Sequence, residues 1–160
     1  MVSIQVFEPL EALQPISAAL QDLLVRAAQQ ALATACDDPQ ADAALVLTDD
    51  KQMHELNRTY LGIEAPTDVL AFPSGEVDPE TGAYYLGDVL VSYPRAAAQA
   101  AAAGHPVEAE LQLLVVHGML HLCGYDHIDA ISKAAMWERQ AEILRLIGSP
   151  IRGPSVESEG

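Results

Sequence analysis

The sequence predicts one domain that mixes strands and helices, and three observations predict it. Apolar residues alternate at period two in some stretches and recur every three to four residues in others. Turn formers separate those stretches, among them Pro9, Pro15, Asp37-Asp38-Pro39, Gly62, Pro73, Gly104 and Gly124. The chain has 160 residues, half of them hydrophobic, which suits one sizeable core with or without a tail.

Each element follows in order. Val2 to Phe7 alternates and reads as a strand, broken off by Pro9 and Pro15. Leu20, Leu23, Leu24, Ala27, Ala31, Leu32 and Ala35 share a helical stripe, which predicts a helix from about Ser17 to Ala35. Ala43 to Leu47 is a short buried strand, and Thr48 or Asp49 caps a helix carrying Met53, Leu56 and Tyr60. Gly62 and Pro66 frame a loop before the strand Val69 to Phe72; Ser74 to Gly82 reads as a polar turn or loop. Tyr84 to Tyr93 is the strongest strand, with β-branched Val89 and Val91.

Three helices close the domain. Pro94 opens an alanine-rich one that ends at Gly104. Pro106 opens the next, with Glu108 and Glu110 suited to its N-terminus, and it is apolar nearly all round from Leu111 to Cys123, so it should be buried. Asp129 caps the last, where Ala134, Trp137, Ala141 and Leu144 share a face. The tally is four strands and five helices over residues 1–148, with 149–160 expected to be a disordered tail.

Charge narrows the function. There are 23 acidic and 8 basic side chains, a formal net charge of -15, which excludes a general electrostatic clamp on nucleic acid. Only 5% of residues are aromatic, too few for a base-stacking platform. No apolar run is long enough to span a bilayer, and Met1 to Leu10 lacks the features of a secretory signal. Cys36 and Cys123 stand far apart and form no CxxC pair, so no disulfide is expected and a reducing cytoplasm is the natural setting.

The chemistry concentrates in His117-Gly118-Met119-Leu120-His121-Leu122-Cys123-Gly124-Tyr125-Asp126-His127. Residues four apart on a helix point the same way, about 6 Å apart along the axis, so His117 and His121 can grip one ion. Gly124 permits the left-handed turn that stops the helix and returns His127 toward it. A lone histidine on an apolar helix is ordinarily a satisfied core residue, but two at this spacing, a stop and a third are harder to satisfy that way. Three imidazoles with an open position describe a catalytic zinc site. Cys123 reads as core packing. The spacing is also that of the metzincin peptidases, H-E-x-x-H-x-x-G-x-x-H, but their general base, Glu, is Gly118 here, and glycine moves no proton.

The segment HGMLHLCGYDH closely resembles the signature of the YbeY family of bacterial rRNA maturation endoribonucleases. Leu56-Asn57 with Tyr60, Pro66-Thr67-Asp68-Val69-Leu70-Ala71-Phe72-Pro73, Leu86-Gly87-Asp88-Val89, Gly104-His105 and Glu110-Leu111 resemble further blocks of it, and Met136 and Glu138 fit its last helix. The resemblance runs from about Ala43 to Ile147. It implies a zincin-like α+β fold, with a mixed sheet of about four strands packed with about five helices and the metal site at the end of a buried helix. It implies one Zn²⁺ per chain on His117, His121 and His127. It also implies a single-strand-specific endoribonuclease acting in 16S rRNA 3′-end maturation and ribosome quality control, with rRNA and the small ribosomal subunit or its proteins as partners, in the cytoplasm. A non-catalytic ribosome-assembly factor with the same fold is the alternative, and a metallopeptidase a weaker one.

Two positions depart from the family pattern. Leu61 stands where the family commonly has an Arg proposed to help bind or activate the phosphodiester, and Ala71 replaces a Ser. Arg58 and Arg95 are the substitute candidates for phosphate contact. Asp126 is the candidate to orient an imidazole or act as base alongside His117, or else a turn residue. Asp68 and Asp88 fall near strand ends, where active-site residues often sit, or else are turn or edge residues; His105 reads as local capping first and an rRNA contact second, and His54 as unrelated to the site. The acid excess is heaviest away from the motif: residues 1–50 hold eight acids and one base, residues 101–150 six and three. Weak intrinsic RNA affinity and delivery by a partner are therefore expected.

Overall fold

The computed structural model describes residues 1–151. The elements run β1 (Val2–Val6), α1 (Glu8–Leu13), α2 (Ala18–Ala35), β2 (Asp42–Thr48), α3 (Asp50–Leu61), β3 (Val69–Val77), β4 (Tyr84–Ser92), α4 (Tyr93–Ala103), α5 (Val107–Leu122) and α6 (Ala130–Leu146). They form a mixed sheet of order β1-β2-β4-β3, in which only β3 runs antiparallel to its neighbour. Strand β3 is thus an edge.

Side-chain alternation assigns the two faces of the sheet. Ala43, Leu45, Leu47, Val69, Val89 and Val91 join the large core with α2, α5 and α6. Val46, Leu70, Phe72 and Leu90 pack with Met53 and Leu56 of α3 on the other face. Helix α5 lies at the centre of the large core, with thirteen of its sixteen residues buried. Its leucines and valines stabilise the fold by about 1.5–3 kcal/mol each when fully buried, and this anchors whatever the helix carries. Among the described residues no helix is long and apolar enough to cross a membrane.

Caps follow the sequence. Ser17, Asp49, Ser92 and Asp129 accept backbone N–H groups at the starts of α2, α3, α4 and α6. The exposed Asp129 carboxyl is held below the usual carboxylate range by the Ser132 N–H.

Several expectations need correction. The segment after β1 is a short helix, α1, because Pro9 sits in its first turn, where a missing N–H costs nothing. The loop expected over Ser74 to Gly82 is half strand: Glu76 and Val77 pair with Tyr85 and Tyr84 after a register shift at Pro73. The buried face of α6 is Met136, Gln140, Ile143 and Leu144; Ala134 is exposed. Cys36 and Cys123, expected to be unpaired, form a disulfide with Cα atoms 4.9 Å apart. They cap the C-termini of α2 and α5, which pack together, so 87 residues of separation vanish in space. Of the stretch expected as a tail, residues 152–160 lie outside the described residues; Ser149 is buried and donates its N–H to Leu144 O at 3.0 Å.

Candidate metal centre

The last turns of α5 place His117 and His121 on one side of the helix. The helix then stops: Gly124 takes φ 97°, its N–H donates to His121 O at 3.1 Å, and the Tyr125 N–H donates to Leu120 O at 2.9 Å. That reversal returns His127 to the other two rings. The rings of His117 and His121 stand 5.8 and 5.3 Å from that of His127. One ligand atom from each histidine lies within 4.8 Å of the others.

The Nε2 atoms of His117 and His121 are 3.2 Å apart. Two nitrogens each about 2.0–2.1 Å from a tetrahedral ion stand roughly 3.3–3.4 Å apart, so this spacing fits a shared ion. His117 is fully buried, and its Nδ1 lies 3.0 Å from Gln140 Oε1. A carboxamide oxygen only accepts, so His117 keeps its proton on Nδ1 and offers the Nε2 lone pair. Trp137 packs 5.5 Å from the His117 ring and 5.8 Å from that of His127, walling the site with apolar surface.

Gly118 explains why the helix sits where it does. A Cβ there would lie 2.5 Å from Val89 Cγ1 and 3.2 Å from Val69 Cγ2, so only glycine lets α5 lie this close to β3 and β4. The position faces the sheet, and no carboxylate base fits there.

A cleft of about 370 Å³ opens beside His121. Its floor is Gly118, one wall is Leu61 with Val69, Leu70, Ala71 and Pro73, and the other is Gly124, Tyr125 and Asp126. Tyr125 is fixed by its hydroxyl, which accepts from Arg139 Nε at 3.1 Å, while Arg139 Nη1 reaches Glu142 Oε1 at 2.8 Å. These bonds, that to Tyr125 foremost, raise the Arg139 pKa further above its ordinary value.

The other candidates are distributed unequally. Asp126 lines the cleft, and its Oδ1 accepts the Ile128 N–H at 3.4 Å, as a turn residue would. Leu61 lines it too. Arg58 does not; it is exposed on α3 with Nε 3.7 Å from Glu64 Oε1. Neither does Arg95, whose Nε lies 3.6 Å from Asp50 Oδ1. Asp68 is buried and accepts the Val69 N–H at 2.8 Å. Asp88 accepts the Tyr85 hydroxyl; burial and this carboxylate push the Tyr85 pKa up. His105 pairs with buried Glu110 at 2.5 Å, and His54 with Glu64 at 2.9 Å. Sequence reasoning missed Gln140 and Arg139. Gln140 had a signal: it interrupts the apolar series Met136, Ile143 and Leu144 at helical spacing.

Residues 11–148 match the family model described as Endoribonuclease YbeY. The chain is 43% identical over 141 residues to an endoribonuclease YbeY of Moorella thermoacetica, covering 84% of this chain and 90% of that one. It is 37% identical over 160 residues to that of Brevibacillus brevis, covering 92% and 98%. A Thermotoga maritima protein solved in solution superposes with a TM-score of 0.61 at 26% identity, over 92% of this chain and 89% of that one.

Proposed function

The chain belongs to the endoribonuclease YbeY family, and on that premise we propose that it is a zinc-dependent endoribonuclease that cuts single-stranded RNA. Its substrate on this reading is the 3′ end of 16S rRNA, and its role is small-subunit maturation and ribosome quality control in the cytoplasm, on or near the small subunit. The cytoplasmic setting rests on that substrate and no longer on the cysteines, since Cys36 and Cys123 pair. The observation that carries the reading is the 3.2 Å approach of the His117 and His121 Nε2 atoms with His127 at hand.

His117, His121 and His127 would hold the ion. When bound, zinc would supply Lewis acidity for charge developing on a phosphoryl oxygen and would lower the pKa of water. Gln140 Oε1 holds the His117 proton at Nδ1, so the donor lone pair stays aimed at the centre. Tyr125 and Trp137 restrict water around it. Asp126 keeps one carboxylate oxygen on the Ile128 N–H, and the other, Oδ2, would take the proton from the attacking oxygen, whether water or a ribose 2′-hydroxyl. The attacking oxygen bonds to phosphorus, the P–O bond to the leaving nucleotide breaks, and its oxygen departs as a hydroxyl with the proton that Asp126 gives back. The packing of Gly118 against Val89 leaves no place for the peptidase carboxylate, which disfavours peptide hydrolysis.

The test is cleavage of a labelled single-stranded RNA by the native protein, a metal-stripped sample and the His117→Ala variant. Activity in the native sample alone, restored to the stripped one by zinc, is the expected result. Equal activity in all three overturns the proposal, and a metal-loaded protein that cuts nothing returns it to the non-catalytic assembly factor.

A further inference from the structure

No Lys or Arg side chain lines the cleft beside His121. Among its lining residues the only formal charge is the Asp126 carboxylate, and the wall opposite is Leu61, Val69, Ala71 and Pro73. Arg58 and Arg95 lie elsewhere, each facing a carboxylate. Away from the histidines, such walls give a phosphate no partner and suit a neutral, flat group. A volume of about 370 Å³ is at the low end of small-molecule sites, roughly 300–1,000 Å³.

The main chain of the wall adds direction. The Ser92 N–H donates to Asp68 O at 2.9 Å, and the register continues with Leu70↔Leu90 and Phe72↔Asp88. Alternate residues of an antiparallel pair bond inward, so Val69, Ala71 and Pro73 turn their N–H and C=O groups to the free edge of β3. The Val69 N–H is taken by Asp68 Oδ1 at 2.8 Å, and Pro73 has none. Between Val69 and Pro73, the part that lines the cleft, the edge therefore offers a single N–H, that of Ala71, beside that residue's own C=O. An added peptide strand needs a ladder of donors and would find one. One donor beside one acceptor matches the pairing edge of a single base.

We propose that this cleft is a subsite for one unpaired nucleobase of the RNA. Its ring lies against Leu61 and Pro73, and its Watson–Crick edge bonds the Ala71 main chain. This deepens the ribonuclease reading and rests on it: a base already paired in a duplex has that edge occupied, so single-strand selectivity arises at β3.

A single-stranded RNA of fixed sequence, and a series with one abasic nucleotide stepped across the cut site, test it with zinc-loaded native protein. Cleavage should fall at least tenfold for one abasic position and not for the others. The Leu61→Ala variant, which removes part of the wall, should raise KM for the parent RNA about tenfold and flatten the dependence on that abasic position. Cleavage that is indifferent to every abasic position overturns the subsite and leaves the ribonuclease reading standing. Inhibition by an extended peptide, with no effect of abasic positions, overturns it in favour of strand addition. Failure of the native protein to cut even the parent RNA overturns the ribonuclease reading and the subsite with it.

Discussion

His117 Nδ1 and Gln140 Oε1 stand 3.0 Å apart, joined across 23 residues of sequence and two helices. One is a metal-ligand candidate and the other has no route to the ion, so Gln140 acts by fixing the imidazole. Second partners of this type are worth about 10–100-fold in metal affinity. Gln140→Leu should weaken zinc binding by that factor, read by competition with a chromophoric chelator, while Gln140→Glu retains an acceptor and most of the affinity. Equal affinity in the Leu variant would deny Gln140 this role.

Gly118 faces Val89 with no room for a methyl. Gly118→Ala should cost about 1–3 kcal/mol through overpacking, measured by urea unfolding. Combining it with Val89→Ala should return part of that loss, because the two changes meet at one contact. Strict additivity would place the strain elsewhere.

The Cys36–Cys123 disulfide ties the ends of α2 and α5. Denatured, unreduced protein should show no free thiol with a thiol reagent. Reduction should lower the unfolding free energy by about 2–4 kcal/mol, and Cys36→Ser should be destabilised similarly and lose its response to reductant.

An ion held only by the native state stabilises it by about 2.7 kcal/mol at a hundredfold excess over Kd. Zinc should therefore raise Tm, chelator should lower it, and His127→Ala should abolish most of the difference. A Tm that ignores both additions would argue against a native metal site.

Much of this was legible in the chain because the signals are local. The 3.6-residue periodicity of α2, the apolar run of α5 and the His117–His121 spacing are each written within a few turns of sequence, and so is the stop at Gly124. What was not legible depends on elements meeting. Gln140 reaches His117 only once α6 packs on α5, Cys36 reaches Cys123 only once α2 does, and the edge position of β3 follows from sheet order. The expected face of α6 keeps Leu144 and loses Ala134, because alanines such as Ala134 and Ala141 fit either side of a helix and packing buries Met136 and Ile143 instead. Residue type and proximity in sequence make Arg58 and Arg95 candidates for phosphate contact, with an ordinary surface role the alternative, and each lies beside a carboxylate, Glu64 and Asp50.

Cys123 stands between His121 and His127 in the chain. The Cys36–Cys123 bond closes a covalent ring that contains His117 and His121 and leaves His127 on the exocyclic segment. An ion shared by the three histidines would close a second, smaller ring through Gly124, Tyr125 and Asp126. The two rings overlap at one short stretch of backbone and are opened by different reagents, a thiol for one and a chelator for the other. The overlap, His121 to Cys123, is therefore doubly clasped, while the Tyr125–Asp126 wall of the cleft is held by the ion's ring alone and hangs from that clasped stretch.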